Sequence, residues 1–283
     1  MTDTPVRAAY GGACVASVVP ALLRRELPDW MPDPVRGARV VVLLVVDGLG
    51  WHSLGEHAAR TPTLSGMVGG PITTVVPSTT AAALTSITTG LAPAAHGVLG
   101  YRIVVDDDVL DVLGHRLARG RRPPDPFTVQ RHAPFLGREV PVVSASTYRG
   151  SGFTQVHLRD TRYVGYRTES TLVEHLRHLA RGDDTFVYAY TAGVDEVAHA
   201  FGLHDGYYAA EVAATDRLVT EILDALPGDA ALVVTADHGQ SHVGPDGWRR
   251  LGALESLIPR PRCWCRAWRP AAGPEGRRAR PVG

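Results

Sequence analysis

Short runs of apolar residues constrain the fold of this chain most strongly. Val40–Val46 holds seven valines and leucines in a row, and shorter apolar runs occupy residues 140–146, 185–190 and 231–235. A strand that is covered on both faces has a continuous apolar run, whereas a strand with one wet face alternates apolar and polar residues. The runs therefore predict buried, parallel strands.

Segments with helical character separate these runs. Apolar spacing and capping residues predict helices over residues 12–26, 63–69, 80–89, 171–181 and 207–226. Alternating strands and helices are typical of an α/β fold, with a mostly parallel central sheet and helices on both faces. Residues 72–76 are predicted to be a further short extended run. Residues 97–135, which are charged and rich in proline, are predicted to form a lid-like excursion with a small hairpin.

Composition narrows the possible functions. The formal net charge is zero, which gives no electrostatic footprint for nucleic acid or for a membrane surface. All 29 basic residues are arginine, so a P-loop lysine, a Schiff-base lysine and a serine–lysine dyad are excluded. The three cysteines suggest no disulfide framework. The N-terminus is a poor signal peptide and no run reaches 18 apolar residues, so we expect a cytoplasmic protein without a membrane partner.

The end of the sequence changes in character. Residues 259–283 contain seven arginines and five prolines without any apolar period. Such a segment cannot bury a core face, and we expect it to be disordered. The predicted organisation is therefore one α/β domain over residues 1–258, incomplete at its C-terminus, followed by a tail. A truncated or frame-shifted C-terminus would explain this change.

Acidic and imidazole side chains stand where two of the apolar runs end. Asp47 follows Val40–Val46, and Asp237 and His238 follow the run at residues 231–235. In open α/β sheets, ligands bind at the carboxyl ends of the strands. Asp47 alone fits a metal ligand or a turn cap equally well. The adjacent Asp237 and His238 favour metal ligation more strongly, because an acid and an imidazole after a buried strand have few purely structural uses.

Two further groups have suitable chemistry. Asp195 and His199 lie four residues apart, so a helix would place both on one face, where they could bind zinc or another divalent ion. The alternative is a surface ion pair. Thr80 stands at the start of a predicted helix, whose free N–H groups bind phosphate oxygens and favour an alkoxide. The alternative is that Ser78, Thr79 and Thr80 only cap that helix.

These segments, in this order, resemble the alkaline phosphatase superfamily, and most closely its type I phosphodiesterase/nucleotide pyrophosphatase branch. The resemblance covers about residues 40–242. No G-x-S-x-G, H-E-x-x-H or dinucleotide-binding glycine motif competes with it. The matching motifs are VVDGLG (45–50), VPSTT followed by AAALTSITTG (76–90), DEVAH (195–199) and TADHG (235–239).

The resemblance implies a catalytic centre with two divalent metal ions, of which zinc is the expected metal. Asp47, Thr80, Asp237 and His238 would hold one ion, and Asp195 and His199 would hold the other. Thr80 would be the nucleophile that attacks phosphorus and forms a phospho-threonine intermediate. The implied substrates are small phosphate esters or nucleotides, and the implied activity is that of a phosphodiesterase or nucleotide pyrophosphatase.

Two positions depart from the family pattern. Ala83 stands where the nucleotide pyrophosphatases usually have an asparagine that steadies a phosphoryl oxygen. The second ion normally has a third ligand, a distal histidine, yet no histidine follows His242. The second ion site is therefore expected to be incomplete, and His242 is a conceivable substitute. An impaired or inactive family member, a phosphomonoesterase and a phosphoglycerate-mutase-like enzyme remain as alternatives. The sequence leaves the oligomeric state open.

Overall fold

The first strand of the fold is buried along its whole length. The computed structural model describes residues 6–204 and 206–243, and in it β1 (Val40–Val46) has every residue buried. Alternate side chains of β1 enter two separate cores: Val41, Leu43 and Val45 one of them, and the intervening residues the other. Each buried valine or leucine contributes roughly 1.5–3 kcal/mol, so this strand anchors both layers.

A five-stranded sheet forms the centre of the molecule. Its order is β6-β5-β7-β1-β8, and every neighbouring pair is parallel. The prediction of an α/β fold with a parallel central sheet is thus confirmed. The strands that join β1 in this sheet are β5 (Pro141–Ala145), β6 (Arg162–Tyr166), β7 (Phe186–Thr191) and β8 (Ala230–Thr235).

Helices cover both faces of the sheet. One core contains buried residues of α1, α4 and α7, and the other contains buried residues of α3, α8, α9 and α10. The helices are α1 (Val15–Arg24), α2 (Trp51–Glu56), α3 (Pro62–Gly66), α4 (Thr80–Thr89), α5 (Pro93–His96), α6 (Pro126–Val129), α7 (Gly152–His157), α8 (Glu169–Ala180), α9 (Gly193–Phe201) and α10 (Gly206–Ala225).

The excursion at residues 97–135 carries a small sheet of its own. It contains three antiparallel strands where the sequence predicted one hairpin, in the order β2-β3-β4. Leu110 of the middle strand is fully buried and belongs to the core that contains α1 and α4. The excursion is therefore attached to the main body. Its strands are β2 (Arg102–Val105), β3 (Asp108–Asp111) and β4 (Arg116–Leu117).

The extended run predicted at residues 72–76 is not a regular strand. Thr73 forms only an isolated bridge with Cys14. The Thr73 amide donates to the Ala13 carbonyl at 2.9 Å, and the Val15 amide donates to the Thr73 carbonyl at 2.9 Å. The segment is therefore tied to the start of α1 and not to the central sheet.

Strand register places the ends of three central strands at one edge. Val46 lies opposite Thr191 of β7, and Val45 lies opposite Thr235 of β8. The residues that follow these strands therefore meet at the same place.

The predicted boundary between residues 258 and 259 lies outside the described residues, as does the whole predicted tail. Across the part of the chain that the structure describes, no helix is both long and apolar enough to cross a lipid bilayer.

Candidate metal centre

Two buried carboxylates face each other at the carboxyl ends of the neighbouring strands β1 and β8. The side chains of Asp47 and Asp237 are 2% and 0% exposed. One Asp237 oxygen, Oδ1, accepts the Gly48 amide at 3.2 Å and the His238 amide at 2.9 Å. Asp47 Oδ2 accepts the Tyr190 hydroxyl at 2.5 Å. The remaining oxygens, Asp47 Oδ1 and Asp237 Oδ2, are buried and have no hydrogen-bond partner among the described residues.

His238 brings an imidazole nitrogen to these two unpaired oxygens. Its Nε2 lies 3.4 Å from Asp47 Oδ1 and 3.5 Å from Asp237 Oδ2. Its Nδ1 lies 3.1 Å from the Gly239 carbonyl, which can only accept, so we assign the proton to Nδ1. Nε2 then presents a lone pair toward the carboxylates. Asp47, Asp237 and His238 thus each offer one ligand atom within 4.8 Å of the other two.

Burial makes this arrangement electrostatically costly in the absence of a cation. Loss of solvation raises the pKa of the Asp47 carboxyl well above its usual range, and the charge of Asp237 raises it further. Burial likewise raises the pKa of the Asp237 carboxyl, although the amides of Gly48 and His238 oppose that shift. A divalent ion is the partner that would stabilise both carboxylates in their charged form. The donor set of two carboxylates and one imidazole suits zinc.

Thr80 lies beside the same imidazole. Its Oγ1 is 3.1 Å from His238 Nε2. Thr80 is the first residue of α4, and the preceding Thr79 makes no side-chain cap. The N–H groups of the first helical turn are therefore free of a side-chain acceptor and carry the partial positive charge of the helix end. Ala83, one turn further along α4, is fully buried and offers no polar side chain.

Asp195 and His199 form a second group on α9. Their ligand atoms, Asp195 Oδ1 and His199 Nε2, lie 3.6 Å apart, and the side chains are 15% and 75% exposed. Gln240 Nε2 donates a hydrogen bond to Asp195 Oδ1. Because Gln240 follows His238 by two residues, this bond joins the segment of the first group directly to the second group.

Glycine at position 48 allows the two groups to approach. Gly48 has φ +74, and a Cβ there would lie 2.9 Å from Gln240 Nε2 and 3.2 Å from Asp195 Cα. Gly50 and Gly239 also approach closely, since a Cβ on Gly50 would lie 2.7 Å from Gly239 Cα. The backbone after β1 thus packs directly against both other ligand segments.

Comparison with known proteins identifies the family of the chain. The model of the family described as type I phosphodiesterase/nucleotide pyrophosphatase matches residues 41–273. The chain belongs to this family. The resemblance to the superfamily noted from the motifs is thereby confirmed.

Solved structures show the same fold. An inactive variant of murine ectonucleotide pyrophosphatase/phosphodiesterase 5, in complex with AMP, superposes with a TM-score of 0.53 at 16% identity, covering 74% of this chain and 59% of that chain. Phosphonoacetate hydrolase from Sinorhizobium meliloti 1021, in complex with phosphonoacetate, gives a TM-score of 0.54 at 19% identity, covering 78% of this chain and 63% of that chain.

Curated relatives match over shorter stretches. GPI ethanolamine phosphate transferase 3 of Eremothecium gossypii is 36% identical over 78 residues, which are 26% of this chain and 8% of the relative. The catalytic subunit of the mouse transferase of the same name is 26% identical over 177 residues, 60% of this chain and 15% of the relative. The chain therefore spans only a small part of the length of these relatives.

Sequence reasoning missed two residues of the candidate site. Tyr190 and Gln240 were not predicted, although a hydroxyl one residue before the end of β7 was a usable signal. His96 is structural: its Nδ1 accepts the Val98 amide and its Nε2 lies 2.8 Å from Ser86 Oγ. Burial lowers the pKa of His96 to about 4, which keeps it neutral.

Proposed function

We propose that this family member hydrolyses small phosphate esters, including nucleotides, with Thr80 as the nucleophile at a centre for two divalent ions. The convergence of the unpaired oxygens of Asp47 and Asp237 with His238 Nε2, beside the Thr80 hydroxyl, carries the proposal. Family membership supports phosphate-ester chemistry, and the bound AMP and phosphonoacetate of the two structural relatives support a small phosphoryl substrate.

The residues fit the proposed ions in two groups. Asp47, Asp237, His238 and Thr80 would hold one ion, and Asp195 and His199 would contribute to the other. Divalent ions held there would lower the pKa of the threonine hydroxyl and neutralise charge on the phosphoryl oxygens, which are the two effects that this chemistry needs.

The chain itself orients the reacting groups. The Thr80 hydroxyl is fixed at the start of α4, so its oxygen would form the new bond to phosphorus while the ester oxygen departs opposite to it. The first amides of α4 would be available to phosphoryl oxygens bound beside Thr80, and such amides stabilise developing negative charge. Attack of water on the resulting phospho-threonine would restore the hydroxyl and release phosphate from a monoester substrate or a phosphate monoester from a diester substrate.

A second candidate function is transfer of the phosphoryl-containing group to an alcohol. The names of the two curated relatives, both ethanolamine phosphate transferases, favour it. Transfer differs from hydrolysis only in the acceptor that attacks phospho-threonine. Addition of an alcohol such as glycerol to the assay would reveal transfer as a phosphorylated alcohol.

The test is a comparison of Thr80 variants on the full chain. With added Zn²⁺, we expect turnover of bis(p-nitrophenyl) phosphate or p-nitrophenyl phosphate, and the ratio of the two rates gives the diester preference. Thr80→Ala removes the nucleophile and should lower kcat at least about 10³-fold. Thr80→Ser retains a hydroxyl and should retain measurable turnover.

Thr79→Ala is the matched control, because it removes the neighbouring threonine hydroxyl, which has no hydrogen-bond partner in the described structure. It should leave turnover within a few-fold of the original chain. Zinc-dependent turnover that persists in Thr80→Ala, or a lack of turnover at every Zn²⁺ concentration, would refute the proposal.

A further inference from the structure

Two histidines outside the described groups lie against each other. His204 follows α9, and His242 follows the Asp237–His238 segment. Their ring centroids are 4.5 Å apart, with an angle of 62° between the ring planes. Both side chains are exposed. We refer to His204 and His242 as the histidine pair.

The path of the chain leads the pair toward the Asp195 group. His238 belongs to the first group, and Gln240, two residues later, donates to Asp195 Oδ1. His242 is two residues later again, and two peptide units keep its Cα within about 7.6 Å of the Gln240 Cα. His204 stands five residues after His199 and packs against His242. The segment after His199 thus leads to His204, and the segment that contains Gln240 leads to His242.

The Asp195 group lacks ligands that the pair could provide. A catalytic zinc usually has three protein ligands, and this group offers one carboxylate and one imidazole. His199 is largely exposed and makes its close polar contact with Asp195 alone among the described residues. The segments that lead away from His199 and from Gln240 each carry one further imidazole, that of His204 and that of His242.

We propose that the histidine pair supplies an imidazole ligand to the ion held by Asp195 and His199. The inference rests on the proposed two-ion function and names the residues that complete its second position. Gln240 has a supporting role, because its hydrogen bond fixes the orientation of Asp195. Neutral imidazole nitrogens are good ligands for zinc, and a set of one carboxylate with two or three imidazoles matches known catalytic zinc sites.

Zinc binding to the full chain tests this inference without reliance on activity. Isothermal titration with Zn²⁺ should show two binding events in the unmodified chain. The double variant His204→Ala/His242→Ala should weaken the second event at least about tenfold and leave the first unchanged. Imidazole NMR signals of His204 or His242 should shift during the second event, which a role in packing alone would not produce.

His175→Ala/His178→Ala is the matched control, since it removes two imidazoles from α8, away from both groups. It should leave both binding events unchanged. The inference is overturned if the His204/His242 variant binds two equivalents with unaltered affinity, or if the control weakens the second event equally.

Asp47→Asn separates this failure from failure of the proposed function. That variant should lose the first event, because it removes a carboxylate from the first group. If Asp47→Asn abolishes the first binding event but the His204→Ala/His242→Ala variant leaves the second event unchanged, only the inference is overturned. A chain that binds no Zn²⁺ would overturn both the inference and the proposed function.

Discussion

Replacement of Gly48 by alanine should destabilise the fold and disturb the proposed metal centre together. Gly48 adopts φ +74, in the left-handed region. Its α-carbon also faces the second ligand group, so an added methyl would lie 3.1 Å from Asp195 Cβ and 3.2 Å from Asp195 Cα. Because one of these contacts is with backbone, a side-chain rotation cannot relieve it.

The expected cost has three parts. The left-handed conformation costs a residue with a Cβ roughly 1–2 kcal/mol. Insertion of a methyl into a packed region costs typically 1–3 kcal/mol. Alanine also lowers the conformational entropy of the unfolded chain, which stabilises the folded state by about 0.4–1 kcal/mol. Gly48→Ala should therefore lower the free energy of unfolding by about 3 kcal/mol.

Two other glycines separate the conformational part from the steric part. Gly150 has φ +73 and no atom within 4 Å of an added Cβ, so Gly150→Ala should cost about 1 kcal/mol. Gly50 has φ −72, and its added Cβ would lie 2.7 Å from Gly239 Cα, so Gly50→Ala isolates the steric part at about 1–2 kcal/mol. Urea unfolding of the three variants measures each cost, and an unchanged slope would confirm a native-state effect.

The comparison can refute the packing argument. If Gly48→Ala costs no more than Gly150→Ala, the close approach of Gly48 to Asp195 makes no energetic contribution. If Gly48→Ala is strongly destabilised but binds zinc as the unmodified chain does, the Asp195 segment moves without consequence for the site.

Two predictions concern stability away from the centre. Burial lowers the pKa of His157 to about 4, so the unfolded chain, with a pKa near 6.5, takes up this proton first as the pH falls. Protonation of His157 in the unfolded chain should lower the free energy of unfolding by about 3 kcal/mol between pH 6.5 and 4. In His157→Asn, urea unfolding should show a pH dependence that is smaller by this amount. Asp216 accepts the Leu64 amide at 2.8 Å and the Thr63 amide at 3.3 Å. Asp216→Ala should cost about 2–3 kcal/mol of folding free energy by leaving these amides unpaired. Its melting temperature should therefore lie below that of Asp33→Ala, a control at an exposed aspartate.

The central part of the fold could be predicted because its signals are local. The apolar run at Val40–Val46 marks a strand that is buried on both faces, and the structure has this strand with the same bounds. The helix at Thr80–Thr89 ends at Gly90, which adopts the left-handed conformation that its position after the last turn requires. In these elements, local preference and tertiary packing favour the same structure.

Elements at the margin of the fold gave weaker signals. The strand β6 was not predicted, since RYVGY contains an arginine and a glycine, and it lies at the edge of the sheet with only partial burial. The helix α2 has no buried residue and includes Gly55, so no apolar face marks it in the sequence. The structure forms both through neighbouring elements, which the local sequence does not encode.

In the candidate site, too, some contacts could be predicted from the sequence and others could not. Asp47 and Asp237 could be placed together because both follow strands of a parallel sheet, whose carboxyl ends share one edge. The contact of Tyr190 with Asp47 could not be predicted, because it depends on strand register: Tyr190 lies opposite Val45, two residues before Asp47. The bond from Gln240 to Asp195 depends on the path of an irregular segment, for which no periodicity exists.

The two carboxylates of the first ligand group have no permanently charged partner among the described side chains. Among residues 6–204 and 206–243, no arginine lies within ion-pair distance of Asp47 or Asp237. Two buried carboxylates without such a partner must share protons or bind a cation, because two adjacent negative charges are strongly destabilising in a poorly solvated site. A cation that binds the folded chain would recover this cost as added stability, which increases with the ratio of its concentration to its Kd. The edge formed by β1 and β8 is therefore better explained as a binding site than as a structural feature of the core.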